Sequence, residues 1–453
     1  MKLKLYGAVA LILCLSFLKA PAQNGISPEL AKELESSLFD LQVLNKVKGI
    51  SAAVYFPGKG VWKGVSGLSH GSVPVDTNML FAMGSNTKTV IAAEILKMVD
   101  AGQLSLDDTI GSLLPPIEHV FPSISIRHLL GMKSGLADYM TNEWNTAMVK
   151  EPSRIWGVRE AIDSFLTEQL AYPGEEFAYN NANYALLGLI IEAKKNDVLH
   201  KILRNDLLTP LGLKNTYMIV ENFPNTIVHN WKMLNTGVQD VSNIPKQAIW
   251  TSLAPVRGLF STPEDLVHFG YNLYSGKVIS QASLNEMLTF TENSLNPNFT
   301  GYGLGTMRIT DNGHTYWGHN GNVDGFLSIM MFDPVDSVCV ALMVNQWSNV
   351  NIYTLGKAFM NSVRANLTTS VSDITGEENL SITPNPAFNE ITFLNNTGSC
   401  ALKIINNLGE TVYSGTLDSP RMTINTSEFA NGLYFALLTS SSGTITKKIF
   451  IQR

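Results

Sequence analysis

Apolar residues in the first 366 positions recur at two different periods, and the order of those periods is what most constrains the fold. Between residues 30 and 44 they fall at helical spacing (Leu30, Leu34, Leu38, Leu41), and beyond Gly49 they change to short strand-like runs at 50–56 and 60–65. A long amphipathic helix is predicted at 87–99, where Ala92, Ala93, Ile95, Leu96 and Val99 share a face before Gly102 ends it. Further helical spacing occupies 126–130, 158–168, 182–194, 263–274 and 280–288. Strand-like runs return only at 303–310, 326–332 and 337–344, followed by a last helix at 352–364. Strands at both ends of a helical middle imply an α/β sheet domain assembled from the two chain ends, with an all-helical insertion beside it. The seam between two such parts is a favoured place for a binding cleft.

The remaining chain has a different character. Residues 367–379 are polar and small, the composition of a linker, and 380–453 alternate in short runs separated by Asn, Gly, Ser and Pro, which predicts a small all-β, sandwich-like domain. At the other end, a basic start and an apolar stretch at 6–18 lead to Ala20-Pro21-Ala22, the layout of a cleaved secretory signal over residues 1–22. Cys14 follows Leu13, where a lipoprotein site wants a small residue, so a lipid anchor is not expected. No other segment is apolar enough to span a bilayer. Of the other cysteines, Cys339 sits in an apolar run and Cys400 lies beyond the linker, so no disulfide between them is expected despite export.

Charge excludes one class of partner. Lysine plus arginine number 32 against 38 acidic residues, and the net charge of −6 is spread without basic runs, which argues against nucleic acid. The eight histidines form no His-x-x-x-His or Cys/His cluster, so neither a metal nor a cofactor is expected.

Two serine signatures compete for the chemistry. Gly67-Leu68-Ser69-His70-Gly71 has the spacing of a nucleophile elbow, which requires a strand before it and a helix directly after. Ser72-Val73-Pro74 follows instead, so this segment is read as a glycine-rich turn. The other signature, Ser85-Asn86-Thr87-Lys88, opens the long helix, and three residues are close to one turn, which brings hydroxyl and amine onto one face. A serine hydroxyl needs a base, and a lysine becomes one only when its ordinary pKa of about 10.4 is lowered. The spacing alone is cheap, since Ser16 and Lys19 share it within the signal segment. Two further clusters strengthen it: Tyr179-Asn180-Asn181 at a helix entry, and His319-Asn320-Gly321-Asn322 before the run at 326–332. Together they supply a nucleophile, a base, a phenolic proton carrier, an amide ligand and a place for an oxyanion hole.

Ser85-x-x-Lys88, Tyr179-x-Asn181 and His319-x-Gly321, in this order, resemble the three motifs of the serine β-lactamase and penicillin-binding-protein superfamily. The likeness is to the branch that holds class C β-lactamases, DD-carboxypeptidases and related esterases. It extends to Arg127-His-Leu-Leu, Ser134-Gly-Leu, Pro210-Leu-Gly-Leu-Lys-Asn-Thr, Leu259-Phe-Ser-Thr-Pro-Glu-Asp-Leu and Tyr302-Gly-Leu-Gly, and so covers about residues 28–366. The resemblance implies acyl transfer through an acyl-Ser85, with Lys88, Tyr179 and His319 in the catalytic set and Lys88 with Tyr179 moving the proton. Asn181 and Gly321 would bind substrate, and the backbone N–H groups of Ser85 and Asn322 would form the oxyanion hole.

Two departures bear on the substrate. His319 stands where many relatives carry lysine, a departure that resembles the secreted DD-carboxypeptidases with His-Thr-Gly, while Asn320 replaces their usual threonine. The arginine that those enzymes place after Tyr-Gly-Leu-Gly to hold a terminal carboxylate falls here on Met307 or Thr306, and strand alternation aims the neighbouring Arg308 away from Met307. The expected activity is that of a secreted serine hydrolase on a small amide or ester, D-alanyl peptides first. A carboxylesterase, a weak β-lactamase or a silent penicillin- or peptidoglycan-binding protein on the same scaffold are the alternatives. The tail, with Ile382-Thr-Pro-Asn-Pro-Ala, Phe429-Ala-Asn-Gly-Leu-Tyr and a basic end from Lys447, resembles a type IX secretion C-terminal sorting domain. That implies export through the periplasm to the cell surface or medium, with the secretion machinery as partner.

Overall fold

The structure, a computed structural model, describes residues 25–451 apart from 225, 294–295, 348–349, 370–379, 386, 396–398, 407–409, 420 and 441–442. The signal segment and most of the linker lie outside the described residues. The chain divides into two compact units that meet between Asn366 and Leu367.

The larger unit is built on a nine-stranded antiparallel sheet whose order follows from joining the two chain ends. Val73–Pro74, Gly60–His70 and Gly49–Phe56 form one flank. Val338–Val344 then pairs with Gly49–Phe56 in register Ala53 to Ala341, and Phe326–Asp333, His314–Val323, Met307–Asp311, Gly301–Tyr302 and Thr291–Glu292 continue outward. The paired central strands Val338–Val344 and Phe326–Asp333 are buried along their whole length, which is why they read as unbroken apolar runs.

Helices cover both faces, and side-chain alternation assigns each face. A Cβ on Gly270, in helix Pro263–Tyr274, would lie 2.5 Å from the Met330 sulfur, whereas one on Gly356, in helix Ile352–Thr369, would lie 2.8 Å from Ile329 and 3.1 Å from the Met331 sulfur. Consecutive strand residues thus meet opposite helices, and each helix needs a glycine to approach. Helix Pro28–Leu44 starts where Ser27 accepts the Leu30 N–H and Pro28 fills the first turn.

Between the strands ending at His70 and beginning at Gly301 the chain is mainly helical, with short strands in two small three-stranded sheets. Two expectations change. The segment carrying His319, read as preceding a strand, is itself the strand His314–Val323, paired on both sides. The last helix runs to Thr369, into residues read as linker. Among the described residues no helix is long and apolar enough to cross a membrane.

The smaller unit packs a three-stranded sheet (Leu380–Thr383, Glu390–Asn395, Arg421–Asn425) and a four-stranded sheet (Thr411–Leu417, Cys400–Asn406, Gly432–Ser440, Gly443–Ile451) around one core that includes Ile391, Phe393, Leu402, Ile404, Leu438 and Ile449. Cys400 is buried in that core and Cys339 in the large sheet of the other unit.

Candidate active site

Two helix entries converge here, and each forgoes its cap. Ser85 precedes helix Asn86–Asp100 and Asn181 precedes helix Ala182–Lys195; both residue types favour that position, yet neither side chain caps its helix. Both side chains instead meet Lys88, whose Nζ donates to Ser85 Oγ at 3.1 Å, to Asn181 Oδ1 at 3.0 Å and to the Val256 carbonyl at 3.5 Å. Lys88 has no solvent exposure, and all three acceptors are neutral. Burial, helped by the Arg257 guanidinium, holds its amine well below the ordinary lysine range, with Asp138 pulling weakly the other way.

The Tyr179 phenol lies over this group. Its ring centroid is 5.2 Å from Lys88 Nζ, its hydroxyl is in hydrogen-bond reach of Ser85, and the side chain keeps partial access to the cleft. Desolvation pushes its pKa up to about 12, the Ser85 bond and Arg257 opposing only in part, so the phenol keeps its proton at neutral pH.

Backbone completes the cleft. Gly84, at φ +54°, brings the Ser85 turn against the strand His314–Val323 so closely that a Cβ there would sit 2.6 Å from the Asn322 nitrogen. Gly321 is equally crowded, with the Met83 carbonyl 1.8 Å from its hypothetical Cβ. Both glycines are required by this approach, which sets the Asn322 N–H beside the Ser85 turn. Ser328 clamps the same turn, accepting from Asn86 Nδ2 at 2.8 Å and donating to the Met83 carbonyl at 2.6 Å.

His319 is fully buried, and both ring nitrogens are engaged. Nδ1–H donates to the Asn320 carbonyl at 2.6 Å, so Nε2 is the acceptor for the Tyr302 hydroxyl at 3.3 Å. Burial lowers its pKa to about 3, and the imidazole is neutral throughout the physiological range. Arg308 turns to the sheet edge, where it pairs with Glu292 and Thr300, while Met307 on the opposite face receives the Tyr353 hydroxyl. Ser69 is at the end of strand Gly60–His70, followed by a turn and the short strand Val73–Pro74 with no helix.

Four contributors were not foreseen from sequence. Asp138 accepts from Asn181 Nδ2 at 2.7 Å and so orients the amide whose oxygen meets Lys88. Tyr302 holds His319, the Val256 carbonyl receives Lys88, and Arg257 follows it. Their helix, Ala254–Arg257, seats on helix Ala182–Lys195 because Gly188 leaves room for Pro255, a Cβ there falling 2.5 Å from the proline ring. The arginine two residues after Pro255, in the otherwise apolar stretch 253–260, was the available signal.

Residues 40–360 match the Beta-lactamase family model. The chain belongs to the Beta-lactamase family. Residues 381–452 match the Secretion system C-terminal sorting domain. Among curated proteins, "Protein flp" of Staphylococcus aureus (strain MW2) is 28% identical over 276 residues, 58% of this chain and 52% of that protein. The chain therefore spans about half the length of the curated relatives it first matches. Penicillin-binding protein 4 of Amycolatopsis lactamdurans is 26% identical over 335 residues, 69% of this chain and 85% of that protein. Among solved structures, D-amino acid amidase from Ochrobactrum anthropi SV3 superposes with a TM-score of 0.66 at 26% identity, covering 76% of this chain and 100% of the other. The octameric penicillin-binding protein homologue from Pyrococcus abyssi, at 19% identity, shares the fold with a TM-score of 0.62 over 93% of this chain and 96% of that one. This Beta-lactamase family member thus joins a β-lactamase-fold domain to a secretion sorting domain.

Proposed function

We propose that the protein hydrolyses a small amide through an acyl-Ser85 intermediate, with D-alanyl peptides as the leading substrate class. The observation that carries this reading is the buried Lys88 amine, 3.1 Å from Ser85 Oγ and surrounded by neutral acceptors. A lysine so placed is a neutral base at lower pH than a solvated one. As Ser85 Oγ bonds to the substrate carbonyl carbon, its proton passes to Lys88 Nζ, and the new oxyanion accepts hydrogen bonds from the Ser85 and Asn322 backbone N–H groups. Tyr179, protonated, delivers its proton to the leaving nitrogen and is reprotonated from Lys88. Water then releases the acyl group from Ser85. Asn181 binds the acyl portion, Gly321 lets it approach the strand, and His319 acts as a positioning residue that fixes that strand through Tyr302 and Asn320.

A D-amino acid amide is the second reading, favoured by the likeness to the Ochrobactrum amidase. Mature protein is incubated with fluorescent penicillin or fluorophosphonate and the labelled peptide mapped, then assayed on D-alanyl peptides, D-amino acid amides, β-lactams and short esters. Label on Ser85 with release of D-alanine supports the first reading, and turnover of amides alone supports the second. An unlabelled Ser85 defeats both, and label without turnover on any member leaves a penicillin-binding protein. The tail is assigned to export, to the surface or the medium, and a chain ending at Asn366 is expected to keep its turnover.

A further inference from the structure

Arg257 ends the short helix that supplies the Val256 carbonyl to Lys88, and beyond its electrostatic effect on Lys88 and Tyr179 its guanidinium has no task in the catalytic steps above. Among the described residues no carboxylate lies within 4.0 Å of it, and its buried Nε has no hydrogen-bond partner, although the side chain is partly open to solvent. A guanidinium held partly out of water with its fork unfilled is an unmet demand for an anion, and its planar donors suit a carboxylate. The nearby acid, Asp138, is committed to Asn181.

Its location indicates which part of a substrate would meet it. Arg257 follows Val256, whose carbonyl receives Lys88 Nζ, in a helix seated on helix Ala182–Lys195, which Asn181 opens, so it stands on the Asn181 side of Ser85. The strand His314–Val323 lies on the other side of the Ser85 turn, and Arg308 beyond it is already paired. Asn181 is assigned above to the acyl portion.

We propose that Arg257 is a specificity-determining residue that binds a carboxylate on the acyl portion of the substrate, making this enzyme selective for acidic acyl groups. The assignment rests on the acyl-Ser85 reading. It is distinct from a clamp on the leaving group's terminal carboxylate, which would act from the opposite side of the scissile bond.

The test compares two p-nitroanilides of D-alanine, one N-capped with succinyl, which ends in a carboxylate, and one with succinamoyl, its neutral amide. The full-length wild type is expected to favour the succinyl substrate in kcat/KM by roughly tenfold to a hundredfold, the value of a charge-assisted hydrogen-bonded pair. Arg257→Ala should bring that ratio near one, and Arg257→Lys should restore only part of it. Removing the cation also changes the charge around Lys88, but that change alters both substrates alike and leaves their ratio untouched. A ratio near one in the wild type, a ratio that survives Arg257→Ala, or turnover of neither substrate by protein whose Ser85 labels with penicillin overturns the proposal. Failure of Ser85 to label overturns the reading beneath it instead.

Discussion

Two serines in this chain each sit 3.1 Å from a basic nitrogen, and we propose only one of them, Ser85, as a nucleophile. Ser85 Oγ faces Lys88 Nζ, and Ser69 Oγ faces His70 Nδ1. Ser69 is 1% exposed at a strand end, where its oxygen accepts the His229 N–H at 3.0 Å, and His70 stacks on His229 at 3.7 Å, whose own Nδ1 meets Asp240. That arrangement fastens one loop to another. Ser85 differs in its surroundings more than in its base: a glycine at positive φ, a strand N–H brought alongside, a phenol above, and a helix start whose usual cap is left unmade. A serine next to a base is common. What singles out one of the two is the backbone around it.

The largest effect that would sharpen this contrast is the loss of the proposed nucleophile. Ser85→Ala is expected to abolish penicillin labelling and lower kcat by at least a thousandfold on any active substrate, because no neighbouring group can form the acyl bond. Labelling that persists in this variant, or label mapped to Ser69, would reverse the assignment of the two serines. Next comes Tyr179→Phe, which leaves Lys88 and Ser85 paired but removes the proposed proton carrier. We expect a fall in kcat of about a hundredfold or more, the low end for general acid–base groups. A smaller loss would move proton delivery to Lys88 or water.

The third effect is a displacement of the pH profile. Lys88 lies well below the ordinary lysine range and Tyr179 stays protonated to about pH 12, so the rise of kcat/KM with pH should follow deprotonation of Lys88, at lower pH than a solvated lysine titrates. His319, neutral above about pH 3, contributes no charge to that titration. His319→Lys would place a cation within electrostatic reach of Lys88; like charges favour the neutral amine, so the rise should move to lower pH. An unchanged profile in folded, active protein would show position 319 to be uncoupled from the base.

How much of this was legible beforehand depends on range along the chain. The Ser85 to Lys88 pair and the Tyr179 to Asn181 pair are local spacings at helix entries, and the helices at 126–130 and 263–274 are read from periodicity to the residue. The strand His314–Val323 was hidden because Gly318, Asn320, Gly321 and Asn322 have poor strand propensity, and pairing with two neighbours overrides it. One glycine that obscured the strand, Gly321, is also one the site needs, to admit the Met83 carbonyl. Asp138 and Arg257 could not be read locally at all: one arrives by a hydrogen bond across 43 residues, the other through the fit of Pro255 against Gly188. Spacing shows which residues share a helix face, whereas the groups that tune them come from elsewhere in the fold.

The smallest expected effect tests the other half of the comparison. If Ser69 is a fastening group, Ser69→Ala should leave kcat and the pH profile within about twofold, since nothing in the Ser85 cleft touches it. Stability should nevertheless fall, because the substitution strands the His229 N–H in a part-buried position while the Trp231 indole keeps its bond to the Ser69 carbonyl. An unsatisfied buried donor costs about 1–3 kcal/mol, and the retained indole bond places the expected loss toward the lower end. Urea unfolding read by tryptophan fluorescence would report that loss as a lower midpoint with an unchanged slope. Ser69→Thr, which keeps the acceptor oxygen, should recover part of it. Loss of activity without loss of stability in Ser69→Ala would end the contrast, because the oxygen would then be working on substrate and not on the loop.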